Sequence, residues 1–538
     1  MKISKLRICN FKLFRDITIK MNSGINIFVG ENDSGKTTIL EAISMVLTGR
    51  LSGGNIANRL NLDWFNIDVR NEYRTSVSSG CPLDLPSIEI EAFFSPSRED
   101  EVQIKRLRGT NNSFHEDSEG VKIEISFDSQ YSETYRQLLS EGEIKDIPIE
   151  YYHVIYRSFA NPDHYLQTTA KRVAFIDTTK KDYGPVLNRF VSGSINEYLT
   201  DIDVTNLRHA YRSNRHEFTE NQAIKSLNKK LQESHSFDGK TISLNLRETE
   251  IDEWKNDISV SLDSIPLDYS GFGTQNMFKS ELFLQQNAEV DILIIEEPEN
   301  NLSFANMSIL VSKISANKDV QVFISTHSSF VANKLGLNNL HLVALRKVTA
   351  FSELKKDTYD YFLKLPGYNT LRVLLAKKAI LVEGPADELI FQRAYIDHNG
   401  KLPIEDGIDV VSVGGLAFSP YCELMASIGK HVTVVTDNDG DHKSVEEKFS
   451  KYGDLVLLCT EQDDQLNTLE PSVLSANLSS FELFKSIVYQ GADAKSKDAE
   501  SIREFMRKNK TTWAMRVFTS SNKIEYPSYI LKSIGAEE

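Results

Sequence analysis

The apolar run Ile25–Val29 is followed by nine small, polar or charged residues, Gly30-Glu31-Asn32-Asp33-Ser34-Gly35-Lys36-Thr37-Thr38, and then by Ile39-Leu40-Glu41-Ala42-Ile43. That order predicts a buried strand, a glycine turn and a helix. Before it, Met1–Lys5 alternates and Leu6, Ile8 and Phe11 continue the pattern, an opening strand expected to pair with the strand at 25–29. Residues 88–93 and 121–127 alternate strictly and predict half-buried antiparallel strands. Thr110 to Gly120 is polar and is expected to be a mobile loop. From Pro185 the period changes to three and four: Val186, Phe190, Val191, Ile195 and Leu199 form one stripe, and Ala223, Ile224, Leu227 and Leu231 another. These stripes either pack on their own domain or form a dimer interface. Neither is long enough for a coiled-coil arm.

Two apolar strands follow, Val290–Ile295 and Val320–Ile324. From Ala379 strands alternate with helices: 379–382, 408–413, 432–435 and 455–458. Such alternation implies a parallel sheet. The organisation expected is a split first domain (1–184 and 236–345), a helical insert (185–235), a linker (346–375) and a second α/β domain with a helical extension (376–538).

Composition narrows the class without naming it. The 538 residues suffice for two or three domains, and 40% hydrophobic and 25% charged residues are ordinary for a soluble chain. No apolar run reaches transmembrane length, and the start does not read as a secretory signal. Cys9, Cys81, Cys422 and Cys459 are far apart with no C-x-x-C pair, which fits reduced thiols in the cytoplasm and argues against zinc. The net charge of -15 argues against a general nucleic-acid coat protein, but not against a nuclease whose metal ligands are carboxylates. The basic runs at 105–108, 208–215, 377–378 and 503–510 read first as solvated faces and second as DNA contacts.

The chemistry lies at the ends of the strands. Gly30 to Thr38 has the G-x-x-x-x-G-K-T spacing of a P-loop: glycines aim successive amides at phosphate, Lys36 reaches the outer phosphates and Thr37 ligates Mg²⁺. Gly30, Asn32, Gly35, Lys36, Thr37 and Thr38 are therefore the candidate ATP-binding residues. The strand 290–295 ends in Glu296-Glu297-Pro298-Glu299, a Walker B pattern. Glu296 is expected near the Mg²⁺, and Glu297 is expected to orient the attacking water. The strand 320–324 leads to His327, where a γ-phosphate sensor would sit. Ser270-Gly271-Phe272-Gly273 opens another helix, a second phosphate-binding device.

These parts resemble the ABC-type ATPase head of the SMC and RecF group. The resemblance implies that Ser270, Gly271 and Gly273 form a signature that closes on a partner's ATP, with His327 as the switch histidine. The S-G-F-G-T-Q form and Asn300-Asn301-Leu302-Ser303, where relatives often carry histidine, depart from the pattern and imply slow or conditional hydrolysis.

In the second domain Glu383, Asp437 and Asp439 fall at strand ends, where ligand chemistry gathers in parallel sheets, and Asp387 opens the helix four residues after Glu383. The pattern resembles a Toprim domain, whose carboxylates suit Mg²⁺ or Mn²⁺. An ABC/SMC-like P-loop head followed by a Toprim α/β domain resembles the OLD (overcoming lysogenization defect) nucleases. That likeness implies Glu470, preceded by Thr468, as a further metal ligand. It also implies a C-terminal lysine, Lys510 or its rival Lys523, that stabilises transition-state charge. The family reading is an ATP-controlled, metal-dependent DNA endonuclease, a homodimer or higher oligomer through the 185–235 helices. It implies an antiphage effector working alone or with a helicase or a retron reverse transcriptase, and without a membrane. The alternative is an ATP-gated DNA clamp that does not cut. A topoisomerase would need a tyrosine nucleophile in a separate DNA-gate domain, and no region of this sequence is free to supply one.

Overall fold

The computed structural model describes the chain outside residues 52–53, 80–83, 97–101, 161–164, 178–197, 235, 238–239, 246–252, 259, 285–289, 301, 317–318, 365–367, 416–417, 492–495 and 537–538. It divides into two compact units, Met1–Phe175 with Glu289–Glu299 and Val311–Glu538, and Ile176–Ala288 with Asn300–Leu310.

Among its described residues the first unit contains three sheets of four or more strands. One is antiparallel, with Ile3–Phe11 hydrogen-bonded to both Phe14–Lys20 and Ile88–Phe94, and Ser118–Phe127 beyond. The second holds the P-loop strand Ile25–Val29 between Gln321–Thr326 and Leu340–Ala344, with Ile292–Glu296 outside Gln321–Thr326, all parallel. The opening strand thus does not pair with the P-loop strand as expected. Only two residues separate Ile3–Phe11 from Phe14–Lys20, so the chain folds back as a hairpin before it crosses to the other sheet. Buried Gln321 ties the two sheets: its amide exchanges bonds with Ile3 N and O, each 2.7 Å, and donates to Asn22 O at 2.7 Å.

Between these sheets lies the P-loop helix Lys36–Thr48. Its Ile39, Leu40, Ile43, Val46 and Leu47 share one core with Ile8, Ile90 and Ile123 on one side and Ile292, Ile294 and Phe323 on the other. A helix apolar on most of its circumference has to be covered on both faces, and that burial fixes where its N-terminus points.

Two further expectations change. The turn before Ser118–Phe127 is tied down rather than loose. Asn112 is 3% exposed and donates to Glu116 O at 2.7 Å, and Ser113 N bonds the buried Glu91 carboxylate at 2.9 Å. Where a linker is expected, Lys347–Ala350 is a strand paired with Leu340–Ala344, followed by helices Lys356–Lys364 and Tyr368–Leu375.

The third sheet is fully parallel, in the order Ile408–Ser412, Lys378–Val382, Val432–Val435, Val456–Cys459. Its apolar strands are covered by helices, and Trp513, Val517 and Ile530 from the C-terminal helices complete the core with Ile390, Val473 and Phe484. This is the pattern expected for parallel strands buried on both faces.

In the second unit helices Asp201–Thr219 and Gln222–Ser234 are described, the first opened by a Thr200–Asp203 capping box. Trp254 packs with Leu199, Val204, Tyr211 and Val260. Of the stripe at 223–231, Ile224 and Leu231 are half-buried and Leu227 is 42% exposed. Most of the 186–199 stripe lies outside the described residues. Among the described residues no helix is long and apolar enough to cross a membrane. Among the described residues Cys9, Cys422 and Cys459 are not joined in disulfides, and Cys81 lies outside the described residues.

Candidate nucleotide and metal sites

The P-loop turn is built around close backbone approach. A Cβ on Gly30 would lie 2.2 Å from Val343 O, and one on Gly35, at φ +108°, would lie 2.6 Å from the Phe14 ring. Only glycine fits either position. Asn32 is exposed in the turn and Thr38 is buried in the first helical turn. Lys36, 5% exposed, donates to the carbonyls of Gly30 (3.0 Å) and Glu31 (2.7 Å). Burial pushes its ammonium below the usual lysine range, opposed by the charges of Glu297, Asp33, Glu299 and Glu296. The Thr37 hydroxyl is hydrogen-bonded to Glu296.

Parallel pairing of Ile292–Glu296 with Gln321–Thr326, and of that strand with Ile25–Val29, brings the three strand ends together. Glu297 follows in a left-handed turn at φ 44°, its amide bonded to Ser325 O at 2.9 Å. Its carboxylate stands 3.3 Å from His327 Nε2. Burial, then the Lys36 charge, pushes His327 down from the ordinary imidazole range, while Glu297 and Glu299 pull the other way.

Glu299 was not singled out from the sequence. Its carboxylate accepts from Thr326 Oγ1 at 2.8 Å, His327 N at 2.7 Å and Ser328 N at 3.1 Å. It therefore fixes the backbone that carries the histidine. The sequence signal was its place two residues beyond Glu297, but its partners lie 27 to 29 residues away and no spacing rule connects them.

In the second unit the short turn Leu267–Tyr269 leads to Ser270, and the helix Phe272–Leu284 begins two residues later. Gln275 holds this entry, donating to Leu267 O (2.9 Å) and Ser270 O (2.6 Å). Gly271 is exposed, Gly273 lies in the first helical turn, and Tyr269 is 84% exposed.

In the Toprim sheet Glu383 follows the strand Lys378–Val382, and Asp437 lies two residues beyond the adjacent strand Val432–Val435. Glu383 accepts from Thr436 Oγ1 (2.6 Å) and Asp437 N (3.0 Å), which joins the two strand ends. Asp387 caps its own helix by accepting from Gly384 N at 3.1 Å. Glu470, 2% exposed, lies in the first turn of Leu469–Ala476, whose N-cap is Thr468. Lys510 Nζ stands 3.5 Å from Glu470. Lys523 instead donates to Asp397 O at 2.5 Å, in a network with Arg393 and Tyr526.

The crowding of these carboxylates bears on the proton affinity of two of them, Asp437 and Asp387. Burial, then the charges of Glu383, Asp387 and Glu470, pushes Asp437 up to about 8, with Lys510 opposing. Burial and the charge of Glu383 push Asp387 up to about 7. Asp439 is exposed, at φ 49°. The residue between them, Asn438, is 1% exposed and donates to Glu461 O and Asp463 O, which anchors the loop. Among the described residues no three His, Cys, Asp or Glu side chains stand ready as a closed metal cage. Glu383 and Asp387 are turned to backbone and hydroxyl donors instead. The donor set nonetheless suits a hard divalent ion: it is all oxygen and crowded, and the Lys510 charge opposes the crowding at Asp437.

Residues 1–332 match the family model for an AAA ATPase domain, and residues 374–439 match that for an overcoming lysogenization defect protein-like Toprim domain. Endonuclease GajA of Bacillus cereus (strain VD045) is 23% identical over 486 residues, 84% of this chain and 77% of that protein. The DNA replication and repair protein RecF of Clostridium novyi (strain NT) is 28% identical over 163 residues, 29% of this chain and 42% of that one. Among solved structures, the C-terminal region of the Xanthomonas campestris pv. campestris OLD protein matches 30% of this chain and 93% of its own at 20% identity and TM-score 0.23. The Smc head domain from Pyrococcus furiosus matches 65% and 97% at 13% identity and TM-score 0.35. The ATPase match spans more than half of the chain and the Toprim match follows it, so this protein belongs to the AAA ATPase domain family and carries an overcoming lysogenization defect protein-like Toprim domain after it.

Proposed function

We propose that this protein is an ATP-binding and hydrolysing, divalent-metal-dependent DNA endonuclease whose nucleotide state controls phosphodiester hydrolysis in the Toprim domain. One observation carries the reading. A half-buried group of carboxylates at adjacent parallel strand ends, with the buried Glu470 and with Lys510 beside it, shares a chain with a P-loop and a Glu297–His327 pair. The likeness to a protein named an endonuclease supports it.

In the head, Lys36 and the P-loop amides would bind the phosphates, Thr37 and Glu296 would hold the Mg²⁺, Glu297 would orient water, and His327 would sense the γ-phosphate. Ser270, Gly271 and Gly273 complete the site across a homodimer. The helices of the second unit supply apolar surface for a second copy, with Ile202 73% and Phe218 54% exposed. In the Toprim domain Glu383, Asp387, Asp437, Asp439 and Glu470 would hold Mg²⁺ or Mn²⁺. A bound divalent ion supplies an activated water and neutralises charge on the scissile phosphate. Lys510 stabilises the same developing charge directly. The biological role we infer is antiphage defence in the cytoplasm, alone or with a helicase or a retron reverse transcriptase.

The test is plasmid cleavage by the full chain in Mg²⁺ or Mn²⁺, with and without ATP. Asp437→Ala should abolish cutting and spare ATP hydrolysis, and Lys36→Ala should abolish ATP hydrolysis. The second reading, a clamp that binds DNA without cutting it, is favoured by the lack of a closed metal cage among the described residues. It becomes the answer if wild-type protein shifts DNA on a gel in ATP yet leaves plasmid intact in both metals.

A further inference from the structure

Lys430 joins three segments that belong to different chemical sites. Its ammonium is paired with the carboxylate of Glu31, the second residue of the P-loop. It also donates to Leu374 O at 2.9 Å and Ala376 O at 3.2 Å. A lysine has three protons to give, so each has an acceptor. The Lys430 side chain is 11% exposed and that of Glu31 32%, which screens the pair less than an open surface bridge.

The position of each partner matters. Glu31 is covalently part of the phosphate cradle, and its carbonyl accepts from Lys36 at 2.7 Å and from Ser34 N at 3.3 Å. Leu374 and Ala376 end the helix Tyr368–Leu375, just before the strand Lys378–Val382 that carries Glu383 at its far end. Lys430 itself lies two residues before Val432–Val435, the strand that leads to Asp437. Those two strands are hydrogen-bonded neighbours, in register Ala379↔Val432 to Leu381↔Val434. One ammonium therefore holds the feet of both strands whose ends carry the Toprim carboxylates, and its third bond runs to the P-loop.

We propose that the Glu31–Lys430 ion pair is the contact through which nucleotide at the P-loop reaches the Toprim site. It rests on the reading of the head as an ATP site and names the regulation of the proposed nuclease. Phosphate competes for Lys36, whose two bonds are to the Gly30 and Glu31 carbonyls. Drawing Lys36 onto phosphate releases those carbonyls and reorients the peptide that bears Glu31. The Glu31 carboxylate moves with it, and Lys430 follows or lets go. Either outcome shifts the base of Lys378–Val382 against Val432–Val435. The bond Glu383 makes to Asp437 N at 3.0 Å, at the opposite end of the same strand pair, is where such a shift alters carboxylate spacing. A closely packed sheet transmits small displacements because it has no slack to absorb them.

The experiment uses the full chain and ATP with Mg²⁺ in two readouts. Hydrogen–deuterium exchange across residues 428–437 should change on nucleotide addition in the wild type and in Lys430→Arg. In Lys430→Met the change should disappear while ATP hydrolysis stays within about two-fold of wild type. Plasmid cleavage by Lys430→Met should proceed at the same rate with and without ATP, whereas the wild-type rate depends on ATP. An exchange change that persists in Lys430→Met, or no change in wild type, overturns the inference even where DNA is cut. Loss of the change in Lys430→Met, in a protein that hydrolyses ATP but never cuts DNA, upholds the ion-pair contact and overturns the nuclease reading alone.

Discussion

The two sites solve the problem of buried charge in opposite ways. At the P-loop the charges answer one another: Lys36 rests on two carbonyls, Thr37 bonds Glu296, and Glu297 faces His327. At the Toprim sheet burial and the charges of Glu383 and Glu470 raise the proton affinity of Asp387 and Asp437, with Lys510 opposing at Asp437. A ligand for the first site has to displace internal hydrogen bonds, so its binding carries a conformational consequence. A cation at the second relieves repulsion that the fold already bears. The first arrangement suits a switch, and the second suits a site whose occupancy is set by cation concentration.

The largest contrast comes from removing one charge at each site. Asp437→Ala should lower cleavage by on the order of a thousand-fold or more, the scale of losing a principal electrostatic contact in a reaction. It should leave ATP turnover intact, since its partners are other Toprim carboxylates. Cleavage that survives this change removes the Toprim half of the comparison. Lys510→Met should reduce cleavage by about a hundred-fold, and Lys523→Met by less than about two-fold, because Lys523 is bound to Asp397 O in another network. Equal losses in the two variants would mean that proximity to Glu470 is not what matters.

A smaller effect is expected at Glu299. Glu299→Gln removes the charge and, with its amide oxygen on the His327 and Ser328 N–H groups, sets a donor in place of an acceptor against the Thr326 hydroxyl. Small misplacements of catalytic groups are costly, and we expect kcat for ATP to fall about ten-fold with KM unchanged. In a His327→Ala background the same change should cost little more, since both act on one element. A rise in KM of the same size would make Glu299 part of the binding cradle and not a support for the histidine.

What the sequence revealed follows from how local each signal was. The P-loop, the Glu296–Glu297 pair and the carboxylates after 379–382 and 432–435 were legible because each is a short run at the end of an apolar strand. Strand type at 88–93 and 121–127 was equally plain from alternation. Pairing was not: Ile3–Phe11 reads the same whether its neighbour is the P-loop strand or Phe14–Lys20, and only the short hairpin decides it. The buried Asn112 that ties the turn at 111–116 looks like loop composition, because asparagine marks mobile and anchored turns alike. Glu31 and Lys430 are 399 residues apart, beyond any periodicity. The closeness of Lys510 to Glu470, and the separate tie of Lys523, depends on how the C-terminal helices cover the sheet.

The mildest prediction concerns pH and belongs to the head alone. His341 lies on Leu340–Ala344 beside the P-loop strand, 1% exposed, with Nε2 3.0 Å from Asn26 Oδ1 and its ring stacked on Phe28. Burial pushes its imidazole down to about 4. A base whose folded value is depressed disfavours the fold once protonation begins in the unfolded chain. Its contribution is fully present above the ordinary value of 6.5 and is lost as pH falls from there toward 4. Between pH 7.5 and 6 the loss should be about 0.8 kcal/mol. His341→Gln removes the titration while keeping an amide that can bond Asn26. Chemical denaturation of the head transition at the two pH values should show that difference in wild type and none in the variant. The same pH dependence in both would assign it to other groups.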